Sequence, residues 1–166
     1  MAKKLSDPSE RRRWPRKPAL IRAIVSDLNG ENAFDCSIRD LSAGGAQITL
    51  ARELPIGARI CLLDPSGRVA HLATVAWSNS NRAGLMFHQS HVMGIGLPPG
   101  LKFIWRLALE AKLKEVEGVI AMGVPTEQAC GSVGFTEDDL HQMARQVGGD
   151  EKFERVLQHA KRLLNR

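Results

Sequence analysis

The sequence is poor in residues on which several classes of protein depend. Its 166 residues include no tyrosine, five phenylalanines and three tryptophans. It therefore offers few aromatic platforms on which a general single-strand nucleic-acid binder could stack bases. The three cysteines, Cys36, Cys61 and Cys130, are odd in number and far apart. This argues against a disulfide framework, and no pair has the ligand spacing of a zinc site. We expect reduced thiols and a cytoplasmic protein.

Segments that would indicate a membrane protein, a secreted protein or an enzyme are also missing. No apolar run approaches the roughly 18 residues of a membrane span, and no apolar stretch of a secretory signal follows the basic N-terminus. Neither the phosphate loop G-x-x-x-x-G-K-[S/T] nor the nucleophile elbow G-x-S-x-G occurs. His88 and His91 lack a third metal ligand nearby in the sequence. We expect no catalytic residues, no metal site and no cofactor.

Positive charge is concentrated at the N-terminus. The formal net charge of the chain is +5 at pH 7, and residues 1–17 alone carry seven lysines and arginines against two acidic residues. The rest of the chain is therefore neutral. Pro8, Pro15 and Pro18 disfavour helix and sheet in this region, so residues 1–18 predict a flexible basic arm. A basic arm on a neutral body indicates a local anionic partner.

Residues 19–92 have the pattern of an antiparallel β-protein. Short apolar and β-branched runs alternate with turn residues, and Phe34, Cys36 and Ile38 alternate with polar residues in the second run. The predicted strands are Ala19–Asp27, Ala33–Leu41, Ala46–Leu50, Ala58–Leu63, Val69–Ser78 and Ala83–Phe87. Because an open sheet would leave exposed edges, these runs predict a mainly β fold, a small six-stranded antiparallel β-barrel.

Residues 98–166 change to helical periodicity and predict a C-terminal extension of about three α-helices. The first helix has an apolar stripe at helical spacing, formed by Leu101, Trp105, Leu109, Leu113 and Val116. Thr136 predicts the N-cap of the second helix, with Asp139 as its capping-box partner and Phe135 as part of a hydrophobic staple. Asp150 predicts the N-cap of the third helix.

Two short motifs indicate the chemistry of the protein. Arg12-x-x-x-Arg16 lies in the arm, and Asp40-x-Ser42-x-x-Gly45 lies in the turn after the second predicted strand. An arginine guanidinium grips a phosphate, or the O6/N7 edge of guanine, with two hydrogen bonds. Aspartate only accepts hydrogen bonds, which suits the N1–H and N2–H₂ donors of guanine, and serine suits either a phosphate or a base. Together the motifs predict a site for a guanine nucleotide, half on the barrel and half on the arm.

In this order the motifs resemble the PilZ domain, a family of bacterial receptors for cyclic di-GMP. The resemblance covers roughly residues 10–90 and includes a late-strand pattern, Val75-x-Trp77 followed by Gly84-Leu85-x-Phe87. It implies a six-stranded barrel that binds cyclic di-GMP with the arm folded over the barrel mouth, in an effector that is not an enzyme. The ligand-binding residues that it implies are Arg11, Arg12, Arg16, Asp40, Ser42, Gly44 and Gly45.

Alternatives stay open for both motifs. The arm is otherwise a solvated basic tail, or part of a nucleic-acid-binding or protein-interaction module without a specific nucleotide ligand. Residues 40–45 are otherwise a plain β-turn with a side-chain bond to their own backbone. Trp77 suits the barrel core or rim better than a ligand-stacking role, and Trp14 could pin the arm to the barrel or stay exposed.

Two further expectations concern stoichiometry and partners. In the PilZ family an arginine directly before RxxxR tends to accompany binding of a stacked nucleotide pair, so Arg11 favours two nucleotides per chain. The helical extension predicts a protein partner or self-association, because nothing in its sequence indicates a ligand of its own. We expect no specific DNA or RNA partner.

Overall fold

The computed structural model describes residues 17–66, 68–93, 97–133 and 136–165. Within these ranges six β-strands precede four α-helices, and a 3₁₀ turn, Pro99–Leu101, leads into the first helix. The strands are β1 (Lys17–Ser26), β2 (Ala33–Ser42), β3 (Gly45–Thr49), β4 (Arg59–Asp64), β5 (Val69–Asn79) and β6 (Arg82–Val92). The helices are α1 (Phe103–Ala121), α2 (Thr126–Val133), α3 (Glu137–Gln146) and α4 (Glu151–Leu164).

The six strands close into an antiparallel barrel. Their order around the barrel is β1-β2-β3-β6-β5-β4, and β4 pairs with β1 to complete the ring. The prediction of a six-stranded antiparallel barrel is therefore confirmed. Strand β6 is longer than predicted, because residues 89–92 pair with the start of β5. Their side chains are mostly exposed, so no alternation of apolar and polar residues marks this part of the strand.

Alternating strand residues fill the barrel interior, where Ile38 and Leu62 are both 0 % exposed. Cys36 belongs to this interior cluster, whereas Cys61 packs with the residues that contact the helices. Burial raises the pKa of both thiols to about 12, so both are protonated at neutral pH. Cys130 is also buried, and all three cysteines are free.

The prediction of about three helices is too low by one within the described residues. Helix α2 has only eight residues and buries only Ala129 and Cys130. It therefore has no apolar stripe, and Gly131 lowers its helix propensity. No described helix is both long enough and apolar enough to cross a membrane.

The predicted starts of α3 and α4 are confirmed. Thr136 Oγ1 accepts a hydrogen bond from the Asp139 N–H at 3.2 Å, and Asp139 Oδ2 accepts one from the Thr136 N–H at 3.1 Å; together these bonds form a capping box. The Asp150 carboxylate caps α4 by accepting from the N–H groups of Lys152 and Phe153 at 2.9 and 3.1 Å. The staple residue predicted at position 135 lies outside the described residues.

The helices and the outer face of the barrel share one hydrophobic core. Ile24, Leu63 and Ala70 of the strands pack in the same cluster as Trp105 and Leu109 of α1. The apolar stripe predicted for α1 is buried throughout. Because burial of apolar surface contributes about 25 cal/mol per Å², this contact stabilises the barrel as well as the extension.

One carboxylate organises the turn between β1 and β2. Asp27 accepts hydrogen bonds from the backbone N–H groups of Asn29 (3.1 Å), Glu31 (2.9 Å) and Asn32 (3.2 Å). Burial raises the pKa of Asp27, but these bonds and one from the Asn32 side chain hold the pKa below its ordinary value. The same turn holds Gly30 in the left-handed region, with φ of +70°, which glycine adopts at no steric cost.

Helix α1 holds this turn through Arg106, which is only 9 % exposed. Its Nη2 donates to the carbonyl oxygen of Gly30 at 2.7 Å, and its Nη1 lies 3.2 Å from the Glu110 carboxylate. The ring of Phe103 lies beside the same glycine. A buried guanidinium is costly without such partners, so these bonds fix both the arginine and the turn.

We predict that Gly30→Ala destabilises the protein more than Gly57→Ala does. Both glycines have positive φ, +70° and +83°, so each alanine introduces backbone strain of about 1 kcal/mol or more. A Cβ at Gly57 meets no atom within 4 Å, whereas a Cβ at Gly30 lies 2.6 Å from the Phe103 ring. This overpacking adds roughly 1–3 kcal/mol. Urea denaturation measures both losses of unfolding free energy, and equal losses would contradict a tight contact between the turn and α1.

Candidate functional site

The second motif forms the turn between β2 and β3. Ser42 pairs with Gly45 across the turn. The Ser42 hydroxyl donates to the Gly45 carbonyl oxygen at 3.2 Å and accepts from the Gly44 N–H at 3.3 Å. A hydroxyl has one donor and two acceptor positions, so one acceptor position of Ser42 remains. Ser42 therefore shapes the turn, and it can still accept a hydrogen bond from a base or a guanidinium.

Both glycines of the turn connect it to β6. A Cβ at Gly45 would overlap the carbonyl oxygen of Leu85, and Gly45 does not lie in the left-handed region. Glycine is needed here for the close approach of β3 to β6, not for an unusual φ. The Gly44 carbonyl oxygen accepts a hydrogen bond from the Phe87 N–H at 2.9 Å. The turn is thus fixed on the neighbouring strand.

The strand register places Asp40 in a row of residues that crosses five strands. Asp40 pairs with Pro18 and with Gln47, Gln47 pairs with Gly84, and Gly84 pairs with Trp77. We call this set the outer row; it consists of Pro18, Asp40, Gln47, Gly84 and Trp77. The neighbours of Gln47 and Gly84 along their strands pack inside the barrel, so the row lies on the outer surface.

Trp77 closes one end of the outer row. The residue is 38 % exposed, and its indole lies so close to Gly84 that a Cβ there would overlap the ring. Trp77 therefore lies on the outer surface and not in the barrel core. The register also brings the indole into the same row as Asp40, which no local sequence pattern indicates.

The arginines of the first motif lie outside the described residues. Arg11, Arg12 and Arg16, together with Trp14, precede the first described residue, Lys17. Lys17 pairs with Leu41, which lies between Asp40 and Ser42 in the chain. The chain therefore enters β1 beside the second motif.

A stacked pair of rings inside the barrel supports the turn, and sequence reasoning missed one of its two members. The rings of His71 and Phe87 are nearly parallel, with centroids 4.1 Å apart. His71 Nδ1 lies 2.7 Å from the Ser90 hydroxyl. Burial lowers the pKa of His71, although the negative charge of Asp64 opposes this effect. His71 follows no motif, and only the register of β5 against β6 reveals that it contacts Phe87.

No metal site or enclosed pocket coincides with the second motif. Among the residues that the structure describes, no three His, Cys, Asp or Glu side chains are grouped for a metal ion. His88, singled out above, instead lies 2.6 Å from the Thr74 hydroxyl. A cleft of about 960 Å³ lies between β1 and helices α1 and α3, and neither Asp40 nor Ser42 lines it. The second motif therefore lies outside this cleft.

Residues 10–94 match the family model of the PilZ domain, which is just over half of the chain. The chain belongs to the PilZ family. The match spans the barrel, both motifs and the Gly84 to Phe87 segment, so the resemblance drawn from the motifs is confirmed. The described PilZ residues Asp40, Ser42, Gly44 and Gly45 lie together at the β2–β3 turn.

Two solved structures are similar to this chain. One is the Bacillus subtilis inhibitor of motility MotI/DgrA, with 16 % identity, a TM-score of 0.41, and coverage of 63 % of this chain and 52 % of that chain. The other is Escherichia coli YcgR in complex with c-di-GMP, with 19 % identity, a TM-score of 0.36, and coverage of 68 % and 50 %. The chain thus spans about half the length of each. No curated protein matches the sequence.

We predict that acid destabilises this PilZ barrel through His71. Its pKa in the folded state lies below the ordinary value of 6.5, so folding favours the neutral ring. The stability that neutral His71 contributes is present above about pH 6.5 and is lost as the pH falls through the lower, folded-state pKa. The melting temperature of the wild type should fall more than that of His71→Gln between about pH 7.5 and pH 5. His88→Gln is the control, and an equal fall in wild type and His71→Gln would contradict the prediction.

Proposed function

We propose that this protein is a cytoplasmic cyclic di-GMP receptor that signals to a partner and is not an enzyme. The observation that carries the proposal is the β1–β2 register, which pairs Lys17 with Leu41 and Pro18 with Asp40. Arg16 directly precedes Lys17 in the sequence. The register therefore allows the arginines of one motif and the acceptors of the other to reach a single ligand.

Each motif suits a different part of the nucleotide. Cyclic di-GMP carries two phosphates and two guanines, so it presents both negative charge and hydrogen-bond donors. Arg12 and Arg16 would grip phosphate or the O6/N7 edge of guanine. Asp40 and the remaining acceptor position of Ser42 would take the N–H donors of guanine. Gly44 and Gly45 hold this turn against β6, so that the acceptors are positioned before the ligand arrives.

The signal would pass along β1. The arm was predicted as residues 1–18, but Lys17 and Pro18 already belong to β1. We propose that the part of the arm before Lys17 closes over the barrel of residues 19–92 when the nucleotide binds. At the other end of β1, the turn contacts Arg106 of α1 through Gly30, and Lys152 of α4 forms an ion pair with Glu31. A change at the arm would thus reach the helices of residues 98–166 through β1 and the turn that follows it. These helices would deliver the output to a protein partner or to a second copy of the chain.

We predict that Arg12→Ala and Arg16→Ala each weaken binding of cyclic di-GMP. A charge-assisted hydrogen bond contributes about 1.5–3 kcal/mol, so the dissociation constant should rise roughly 10- to 150-fold. Isothermal titration calorimetry measures the change, and Arg155→Ala on the exposed side of α4 is the matched control. Binding within threefold of wild type in both arm variants would reject the proposal.

The same titrations separate this proposal from the nucleic-acid alternative. A binder of extended polyanions loses affinity steeply with salt, with a slope in log K against log salt of about −0.9 per phosphate contacted on duplex DNA. A ligand with two phosphates gives a shallow slope. Tight, strongly salt-dependent binding of an oligonucleotide, without binding of cyclic di-GMP, would favour the alternative.

We predict two nucleotides per chain in the wild type and one in Arg11→Leu. Cyclic di-GMP can stack into an intercalated pair, which doubles the phosphate charge at the site. Arg12 and Arg16 match the charge of one nucleotide, and Arg11 would compensate part of the second. Calorimetric titration to saturation counts the equivalents, with Arg155→Leu as control. One equivalent for the wild type, or two for both the wild type and Arg11→Leu, would remove this role.

A further inference from the structure

The outer row contains one polar residue that belongs to neither motif. Gln47 lies on β3, directly opposite Asp40 on β2 and Gly84 on β6. Both Gln47 and Asp40 are half-buried. Residues that face each other on one side of an antiparallel pair have Cβ atoms about 4.5–5.5 Å apart, so the amide and the carboxylate lie side by side on the outer surface.

The side chains of Asp40 and Gln47 have no polar partner among the described residues. In the part of the chain that the structure describes, the side chains of Asp40 and Gln47 form no hydrogen bond or ion pair. Other polar side chains of the sheet behave differently, since Ser42 bonds its own turn and Thr74 bonds His88. Two adjacent, half-buried and unpartnered polar groups of opposite hydrogen-bonding character are available to a ligand.

Beyond Gln47, the outer row ends at the Trp77 indole. On the β6 side of Gln47, the row continues with Gly84, which has no side chain. The Trp77 indole lies over that glycine. Along the described row, therefore, no side chain separates Gln47 from the indole.

We propose that Gln47 is a specificity-determining residue that donates its side-chain N–H to O6 of the guanine whose N1–H and N2–H₂ are bound by Asp40. This inference rests on the proposed function. The Watson–Crick edge of guanine presents one acceptor, O6, followed by two donors. The Gln47 amide and the two Asp40 oxygens supply one donor and two acceptors in the matching order. The pair thereby reads the complete edge.

The same arrangement rejects adenine. Adenine presents an amino donor where guanine has O6, and an acceptor where guanine has N1–H. Adenine N1 would face the Asp40 carboxylate, which only accepts hydrogen bonds, whereas the Gln47 amide can turn its oxygen toward the amino group. A site whose polar groups are left unpaired by the wrong base discriminates strongly against it.

The experiment titrates five proteins, one of them a control, with three nucleotides by calorimetry. The proteins are the wild type, Gln47→Ala, Gln47→Glu and Asp40→Ala, and the control is Gln128→Ala on the exposed face of α2. The nucleotides are cyclic di-GMP, cyclic di-AMP and cyclic di-IMP, whose base keeps O6 and N1–H but lacks the 2-amino group. Melting temperatures accompany each titration, so that a loss of fold is recognised.

Gln47→Ala should weaken cyclic di-GMP and cyclic di-IMP by the same factor, about three- to tenfold, because both present O6. Gln47→Glu should weaken both by more than tenfold, since it keeps the shape of the side chain but places a carboxylate at O6. Asp40→Ala should reduce the preference for cyclic di-GMP over cyclic di-IMP. The Gln128→Ala control should bind like the wild type.

Each contrary outcome has its own meaning. If the wild type binds none of the nucleotides, the proposed function fails and this inference fails with it. If the wild type binds cyclic di-GMP and both folded Gln47 variants bind it equally well, only the role of Gln47 is refuted. A loss confined to cyclic di-GMP, with cyclic di-IMP unaffected, would also refute it, because the amide would then not contact O6.

Discussion

The close approach of β3 to β6 at Gly45 is the constraint on which the rest of the site depends. These strands are not neighbours in sequence, and their pairing completes the barrel between the β1–β2–β3 meander and the β4–β5–β6 meander. A side chain at Gly45 would overlap the Leu85 carbonyl oxygen. Because a slip of one residue turns every side chain to the opposite face of a sheet, this contact decides that Gln47 faces outward while Ile48 fills the interior.

The barrel and the helices are coupled at one end of β1, and the second motif lies near the other end. Strand β1 has 10 residues, which spans about 30 Å at roughly 3.3 Å per residue. Its first residues pair beside Asp40, and its last lead into the turn that Arg106 holds on α1. Arg106 is nearly buried, so releasing the turn would leave a desolvated charge short of partners. The contact with Arg106 therefore holds the turn firmly on α1.

Local patterns in the sequence were enough to predict the strands and helix starts that depend on neighbouring residues alone. The six strands follow from apolar alternation, and the starts of α3 and α4 follow from Thr136 and Asp150, whose caps need only a few neighbouring residues. Helix α2 was not predicted, because its few buried residues form no apolar stripe. The second half of β6 was not predicted, because its side chains are mostly exposed and show no apolar alternation.

The residues of the outer row could not be placed side by side from the sequence, for a different reason. The register shifts between Ile38 and Asp40 in β2 and between Val75 and Trp77 in β5. Each such irregularity changes which face the following residues occupy. Counting residues from a motif therefore does not place Trp77 or Gln47 beside Asp40, although the composition of the Asp40 motif already indicated a guanine ligand.

The position of the outer row on the barrel suggests different roles for the barrel and the arm in the proposed site. The outer row lies on the convex outer face of the barrel, and the cleft of about 960 Å³ lies elsewhere. A nucleotide on such a face buries one side only, which limits the affinity that the barrel alone can supply. In the proposed complex, the arginines of the arm would then provide most of the attraction to the phosphates. The row, whose backbone positions are set by the β-sheet, would be suited to selecting the base, because donors or acceptors left unpaired by the wrong base are costly. In the proposed complex the arm would thus contribute affinity, and the barrel specificity.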